Sequence, residues 1–317
     1  MQKSTLPTVA FEKKFNIGLT LDTNLKEFRK FLETYHPYVR SFYFSLPFSK
    51  KFHTRQLIAK QLLFPHKRKL FWSMLKIAKE YGVELELLFN TLTLDEELIA
   101  LAAKELKKRK IEVDSVCFLQ AYYPFVEKYF PDKKYIWSFN NGMRSLKAFD
   151  EAIEGRKIDA VVLGSVFIRD NDAFAYIKEK GKNIILLLNN SCSFNCATCA
   201  STSPLCQETF DKNHEKYSVE YLYALQSIFP QELYDGTIAV ENIDCFKISN
   251  RGSKLSFVQN SIDSYMRGEV LPYLAKDYNA YAYWGRAGFF WKYFPKMQLD
   301  EVIKYKEEIL GHALDIK

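Results

Sequence analysis

The stretch DAVVLGSVFIRDNDAFAYIKEKGKNIILLL, residues 159–188, contains one complete repeat of the pattern that decides the fold. It opens on a short apolar run, Asp159–Leu163, continues through a longer segment, and closes on a second apolar run, Asn183–Leu188. Both runs are rich in Ile, Val or Leu and contain no proline, which is the composition of a β-strand. The stretch therefore predicts a strand, a helix and a second strand.

The same alternation extends in both directions along the chain. Six further strand-like runs are Phe15–Leu19, Val39–Leu46, Val83–Phe89, Val113–Leu119, Lys134–Phe139 and Asp244–Ile248. The runs that start at positions 113, 134, 159 and 183 are 21, 25 and 24 residues apart, which leaves room for one helix between strands. Eight such alternations predict an α/β protein with parallel strands, and closure at eight predicts a TIM-like (β/α)8 barrel, complete or irregular. An open doubly wound sheet is the alternative, although no glycine fingerprint follows the first strand.

Helical periodicity is clearest in three of the intervening segments. Apolar residues recur at helical spacing within Leu25–Tyr35, Leu98–Leu106 and Leu146–Ile153. Asp95 is placed to cap the second helix, and the basic end Lys107–Lys110 suits its C-terminus. Gly155 is placed to end the third helix.

Composition indicates a globular protein, with 48% apolar and 26% charged residues in 317. The longest strongly apolar run, Ile184–Leu188, is too short to cross a bilayer. Since the N-terminus lacks the apolar core of a signal peptide, we expect a cytoplasmic protein without a membrane span. We expect residues 1–275 to form the barrel and residues 276–317 to form an aromatic-rich cap on the same domain.

The net charge of +7 is concentrated in one segment. Between Lys50 and Lys69 the chain carries seven basic residues and no acidic one. Such a field attracts polyanions, so RNA or a phosphorylated substrate is a candidate partner. A basic loop in contact only with solvent is the alternative.

Four of the six cysteines, Cys192, Cys196, Cys199 and Cys206, fall within fifteen residues directly after the seventh strand-like run. In a barrel the carboxyl ends of the strands hold the active site. Four thiolates from one segment favour an iron–sulfur cluster over zinc, because structural zinc usually takes two separate CxxC pairs. We therefore predict these four cysteines as metal ligands within an iron–sulfur loop at residues 189–210. Cys245 is a reserve for the fourth ligand position or a core residue.

The spacing C-x3-C-x2-C within Cys192–Cys199 resembles the loop of radical S-adenosylmethionine enzymes. In that superfamily three cysteines hold three irons and the cofactor chelates the fourth. Its loop follows the first strand, whereas here only 118 residues follow Cys199. This alternative implies S-adenosylmethionine as a cofactor.

A second resemblance covers about residues 80–270. The entry Asn189–Cys192, with Cys196 four residues later, and the element FKISNRG at 246–252 resemble the collagenase-like peptidase family (peptidase family U-32) and its short iron–sulfur relatives. The family element Lys-Ile-Glu-Gly-Arg has Ser249-Asn250 here in place of Glu-Gly, and a helix with Tyr265 and Arg267 follows it. Trp137–Asn141 stands where the family has a polar strand end.

The resemblance implies a TIM-like barrel with a 4Fe-4S cluster that takes part in oxygen-independent hydroxylation. The substrate would be a small aromatic molecule, such as a quinone precursor, or a base in tRNA or rRNA. Peptidase activity is not expected, because His214-Glu215 lacks the second histidine of HExxH and no GxSxG occurs. A non-catalytic binding protein held together by a metal is a further alternative.

Several polar residues follow the predicted strands. Lys247 and Arg251 are predicted to hold a carboxylate or phosphate, or to form an ion pair that closes the barrel. Asn189 is predicted to orient the substrate, and these three residues form the predicted catalytic set. For seven other polar residues near strand ends, a functional role and a structural role in a turn or helix cap are both open. They are Asn140, Asn141, Asn190, Arg169, Asp170, Glu241 and Asp244.

Nine aromatic residues lie within positions 278–294, together with Arg286 and Lys292. The mixture is typical of surfaces that stack bases. It is equally typical of a cap that packs on the barrel or of an interface with a protein partner.

Overall fold

The structure is a computed structural model that describes residues 10–52, 64–91, 93–141, 145–164, 167–188, 228, 230–249 and 254–268. Eight parallel strands close into a barrel in chain order, with β1 bonded to both β2 and β8. The strands are β1 (Phe15–Gly18), β2 (Val39–Phe44), β3 (Glu84–Phe89), β4 (Ser115–Phe118), β5 (Lys134–Trp137), β6 (Ala160–Leu163), β7 (Asn183–Leu187) and β8 (Cys245–Ile248). Each strand lies within its predicted run, so the TIM-like (β/α)8 barrel is confirmed.

The described helices occupy the intervals between the strands and follow β8. They are α1 (Leu25–Tyr35), α2 (Pro65–Glu80), α3 (Glu96–Arg109), α4 (Tyr123–Tyr129), α5 (Leu146–Ile153), α6 (Asn171–Glu179) and α7 (Leu255–Arg267). The predicted cap of α3 is present, since the Leu98 amide donates to the Asp95 carboxylate at 2.9 Å. Gly155 follows α5 with a φ of +64°, a left-handed conformation that glycine adopts without strain.

Alternation along each strand divides the core into two parts. Outward side chains such as Ile17, Phe42 and Leu87 belong to the large cluster that packs against the helices. Inward side chains form a smaller cluster of Tyr43, Leu88, Cys117, Ile136, Ala160, Val162, Ile185 and Cys245. Because aliphatic side chains and thiols supply most of this cluster, the interior of the barrel is a packed core rather than a pore.

One interaction recurs three times at the amino end of the barrel. An aspartate directly before an even-numbered strand accepts a hydrogen bond from the backbone amide of the second residue of the preceding strand. The three pairs are Asp114 with Leu85 at 2.7 Å, Asp159 with Tyr135 at 2.7 Å, and Asp244 with Ile184 at 2.8 Å. In each pair the aspartate amide also donates to the carbonyl of the same partner. The carboxylates thus extend the pairing of β3 with β4, β5 with β6, and β7 with β8 beyond the strand ends.

Within the described ranges, none of the helices combines the length and apolar character needed to cross a membrane. The predicted cap at 276–317 lies outside the described residues.

We expect Asp159→Ala to lower the free energy of unfolding by about 1–2 kcal/mol, because the partly buried Tyr135 amide then loses its carboxylate acceptor. Urea denaturation followed by circular dichroism measures this change. Asp132→Ala, at an exposed position, is the matched control and should change the value by less than about 0.5 kcal/mol. Equal effects of the two substitutions would contradict a structural role for the recurring aspartate.

Candidate functional site

The carboxyl end of the barrel, here called the mouth, fixes both ends of the cysteine segment. Leu188, directly after β7, donates its amide to the Lys247 carbonyl at 2.9 Å and accepts at its own carbonyl from the Ile228 amide at 2.7 Å. Ile228 is fully buried, and its carbonyl accepts from the Tyr265 hydroxyl at 2.9 Å. The two described residues that flank positions 189–227, Leu188 and Ile228, therefore both lie at the mouth.

Six of the candidate residues belong to segment 189–227 and lie outside the described residues: Asn189, Asn190, Cys192, Cys196, Cys199 and Cys206. Arg251 also lies outside them, two positions beyond Ser249, where the described part of the chain after β8 ends. Lys247 is the one member of the predicted catalytic set whose surroundings the structure describes.

The chain after Ile228 is held to the mouth by polar contacts from Arg169, in the loop after β6, and from Asn171, the first residue of α6. Arg169 binds Glu232 through two bonds, Nε to Oε1 at 2.5 Å and Nη2 to Oε2 at 2.9 Å. Both side chains are almost fully buried. The Asn171 side chain donates to the Thr237 carbonyl and accepts from the Ala239 amide. These contacts fix the segment that follows the cysteines relative to β6.

Lys247 points into the barrel and pairs with Glu86 of β3. The Nζ–Oε1 distance is 2.6 Å, and the two residues are 8% and 1% exposed. Asn16 of β1 donates its side-chain amide to the other carboxylate oxygen of Glu86. Nζ also lies 4.2 Å from the centre of the Tyr43 ring. A carboxylate on β3 thus receives donors from β8 and β1 inside the barrel.

These surroundings keep the Lys247 ammonium protonated. Burial lowers the pKa of Lys247, but the negative charge of Glu86, with smaller contributions from Cys117 and Tyr43, raises it, and the resulting pKa lies above the usual 10.5. A buried ammonium is tolerated when an opposite charge and hydrogen bonds compensate for its lost hydration. Of the two roles weighed for Lys247, the ion pair inside the barrel is the one that its contacts display.

The asparagines after β5 use their side chains to join strand ends. Asn140 donates to the Asn90 carbonyl, and Asn141 donates to the Phe118 carbonyl, both at 3.1 Å. The side-chain oxygen of Asn141, Oδ1, accepts a hydrogen bond from the backbone amide of Gln120 at 2.7 Å. These two residues therefore connect the carboxyl ends of β3, β4 and β5.

The remaining candidates divide between caps and exposed positions. Asp170 caps α6 by accepting from the Ala173 amide at 2.8 Å. Asp244 lies at the amino end of β8, where it binds Lys178 and the Ile184 amide. Glu241 is exposed in a short 3-10 turn. Asp170 and Asp244 thus occupy structural positions, and Asp244 lies at the end of the barrel opposite the mouth.

The two described cysteines lie inside the barrel. Cys245 is the first residue of β8, about 10 Å along the strand from the mouth, and is fully buried. Burial raises the pKa of the Cys245 thiol to about 12, so it is a neutral thiol at neutral pH. Cys117 packs in the same interior cluster. Among the described residues, no group of three or more His, Cys, Asp and Glu side chains is arranged to hold a metal ion.

The sequence reasoning missed Glu86, Asn16 and Glu232. A signal for Glu86 exists, because it is a charged residue in the middle of the strand ELELLF, at an inward position flanked by leucines, and Lys247 occupies an inward position of β8. Two opposite charges at inward positions predict an internal ion pair. Glu232 offers no local signal, since its partner lies 63 positions away.

Comparison with known proteins gives likenesses in structure only. No protein-family model and no curated protein matches the chain. A U32 peptidase is among the similar solved structures, with 12% identity and a TM-score of 0.45 over 80% of this chain and 97% of the other. A tryptophan synthase from M. tuberculosis has 8% identity and a TM-score of 0.44 over 88% and 93%. The OMP decarboxylase of Leishmania donovani has 13% identity and a TM-score of 0.37 over 57% and 77%. Likenesses at this level leave the chemistry open.

Removing one partner of the internal ion pair should lower the free energy of unfolding more than removing both partners. We expect Lys247→Met to lower the free energy of unfolding by about 3–5 kcal/mol, because the Glu86 carboxylate remains buried without its cation. The double variant Lys247→Met, Glu86→Leu should recover most of that loss. Urea denaturation of the wild type, both single variants and the double variant gives the coupling energy. Additive effects would contradict a direct interaction.

The same variants give a prediction for alkaline pH. Because the pKa of Lys247 is higher in the folded chain than in the unfolded one, its protonation stabilises the fold fully below pH 10.5. This contribution disappears as the pH rises through the folded value. The stability of the wild type relative to the double variant should therefore be constant from neutral pH to about 10 and decrease above 10.5.

Unfolding free energies of both proteins across this range test the pH prediction. Tyr135, whose pKa burial raises to about 12, titrates in both chains and so cancels from the comparison. A difference that increases with pH would contradict the assigned direction of the shift.

Proposed function

We propose that this barrel binds a 4Fe-4S cluster through Cys192, Cys196, Cys199 and Cys206 at its mouth. The activity proposed for it is oxygen-independent hydroxylation of an aromatic or nucleobase substrate. The proposal joins the resemblance to the U-32 family seen in the sequence with the position that the barrel gives to segment 189–227.

The observation that carries the proposal is the hydrogen bond from the Ile228 amide to the Leu188 carbonyl, at 2.7 Å. It joins the two ends of segment 189–227 at the carboxyl end of β7. The four cysteines belong to the part of the chain that both starts and ends at the mouth. In barrels of this type the catalytic groups come from the carboxyl ends of the strands.

The chemistry of the donor set supports iron and sulfur. Four thiols within fifteen residues provide the complete ligand set of a cubane cluster from one segment. The position of Cys245 supports the choice of Cys206 as fourth ligand, because Cys245 is fully buried at the amino end of β8. When bound, such a cluster would supply one-electron transfer to an external electron acceptor. Hydroxylation with oxygen from water requires such an acceptor, because the conversion of C–H and water to C–OH releases two electrons and two protons.

Chain order supports substrate contacts from residues next to the mouth. Asn189 directly follows Leu188, and Arg251 follows the end of β8 by three positions. An amide and a guanidinium suit the polar and anionic parts of a substrate. Lys247 is held inside the barrel by its bond to Glu86 and would have to break that bond to contact a substrate. We therefore propose that Lys247 positions β8 and does not contact the substrate.

Anaerobic purification followed by iron, sulfide and zinc analysis tests the proposal. We expect about four irons and four sulfides per chain and broad absorption near about 400 nm. Each of the four variants Cys192→Ala, Cys196→Ala, Cys199→Ala and Cys206→Ala should lose most of the iron. Cys117→Ala is the matched control and should retain it, since Cys117 lies inside the barrel.

The outcomes separate the proposal from its two alternatives. A cluster that survives Cys206→Ala, and whose EPR signal changes when S-adenosylmethionine is added, would indicate a radical enzyme instead. Zinc in a colourless protein would indicate a metal-stabilised binding protein. Either result would overturn the hydroxylase proposal.

A further inference from the structure

A basic pocket lies on the outer surface of the barrel, between α2 and the end of α3. Its volume is about 380 Å³, and its charged lining consists of Arg68, Lys69 and Lys76 of α2 with Arg109 of α3. Trp72 and Ser73 of α2 complete this part of the lining. No acidic residue lines it in the part of the chain that the structure describes. We call it the α2 pocket.

The sequence of α2 explains this arrangement. The helix carries five lysines and arginines against one glutamate. Positions 69, 72 and 76 follow the spacing i, i+3, i+7, which places two lysines and the tryptophan on one face. The opposite face of α2 is buried against the barrel through Phe71, Leu75 and Ala78.

Two lysines of α2 are bound to the protein itself, which distinguishes them from those of the pocket. Lys67 donates to the Leu21 carbonyl at 2.6 Å, and Lys79 pairs with Asp114 at 2.9 Å. Arg68, Lys69 and Lys76 are exposed, and within the described ranges none of them has an ion-pair partner. Their charge therefore acts on the solvent and on any anion that approaches.

Arg109 is held in position before any ligand binds. Its guanidinium carbon lies 4.3 Å from the centre of the Trp72 ring, and its Nε is 3.3 Å from the Glu105 carboxylate. A guanidinium stacked on an indole keeps its other N–H groups available in a fixed plane. Because its side chain is already ordered, Arg109 loses little conformational entropy when it binds an oxyanion.

The spread of these charges favours an extended polyanion over a single phosphate. Lys76 follows Arg68 by eight positions, which corresponds to a rise of about 12 Å along the helix. One strand of a duplex presents a phosphate about every 3.4 Å along its axis, so about four phosphates cover this distance. A site for one phosphate would instead bring its donors to a single point.

We propose that the α2 pocket binds the phosphodiester backbone of a nucleic acid. In this proposal Arg68, Lys69, Lys76 and Arg109 contact successive phosphates. The inference rests on described surface residues and is independent of the cysteines, so failure of either proposal leaves the other intact.

Fluorescence anisotropy with the full chain and a labelled single-stranded RNA tests the proposal, with DNA of the same sequence and an RNA duplex as further ligands. The variant Lys69→Glu, Lys76→Glu should weaken binding at least about tenfold. It should also reduce the slope of log affinity against log salt by about two, measured between about 50 and 200 mM salt. The ligand bound most tightly identifies RNA or DNA as the source of the backbone.

The matched control is Lys147→Glu, Lys180→Glu, which changes the net charge equally on α5 and at the end of α6. It should stay within about twofold of the wild type. Equal weakening by both variants, no weakening by either, or equally potent competition by polyglutamate would overturn the proposal.

A second measurement uses the wild type alone. Bound nucleic acid should protect Lys69 and Lys76 from acetylation while Lys147 remains reactive. Equal reactivity of the three lysines would overturn the proposal.

Discussion

The contact between Lys247 and Glu86 inside the barrel fixes how the barrel closes. Side chains alternate along a strand, so a slip of β8 by one residue would turn Lys247 outward and bring Phe246 and Ile248 into the interior. Glu86 would then be buried without its ammonium partner, at a cost of several kcal/mol. In the observed register Lys247 lies opposite Asn16, and both side chains donate hydrogen bonds to the Glu86 carboxylate. The position of the last strand, and with it the mouth, follows from this constraint.

The two ends of the barrel differ in how they are held. At the amino end, aspartates before β4, β6 and β8 bind backbone amides of neighbouring strands, and two of them also pair with lysines of the preceding helices. At the carboxyl end, side-chain amides and one buried ion pair connect loops to one another. The amino end is thus held by contacts to backbone amides, and the carboxyl end by contacts between side chains and loops.

The fold was predictable from the sequence because its signal is local and repeated. Eight apolar runs without proline, spaced by one helix, leave few alternatives to a closed barrel. Strand ends were overestimated where apolar composition continues past the hydrogen-bonded ladder, as at Val113 and Leu119. The internal ion pair was only half predicted, because its partner, Glu86, is 161 positions from Lys247 and pairing at that distance depends on the closed barrel. The four clustered cysteines lie outside the described residues, so only chain order places them after β7, and the cluster and the substrate are proposals.

The hydrogen bond between Leu188 and Ile228 has a consequence for how this protein can evolve. Because the two ends of segment 189–227 are adjacent, changing its length alters the closure entropy only slowly, by about 0.6 kcal/mol for a doubling. A change in the length of the segment should therefore alter the stability of the barrel little, whereas truncating the fully buried side chain of Leu188 or Ile228 should lower it. The content of the segment can thus vary at a small cost to the barrel that holds its two ends.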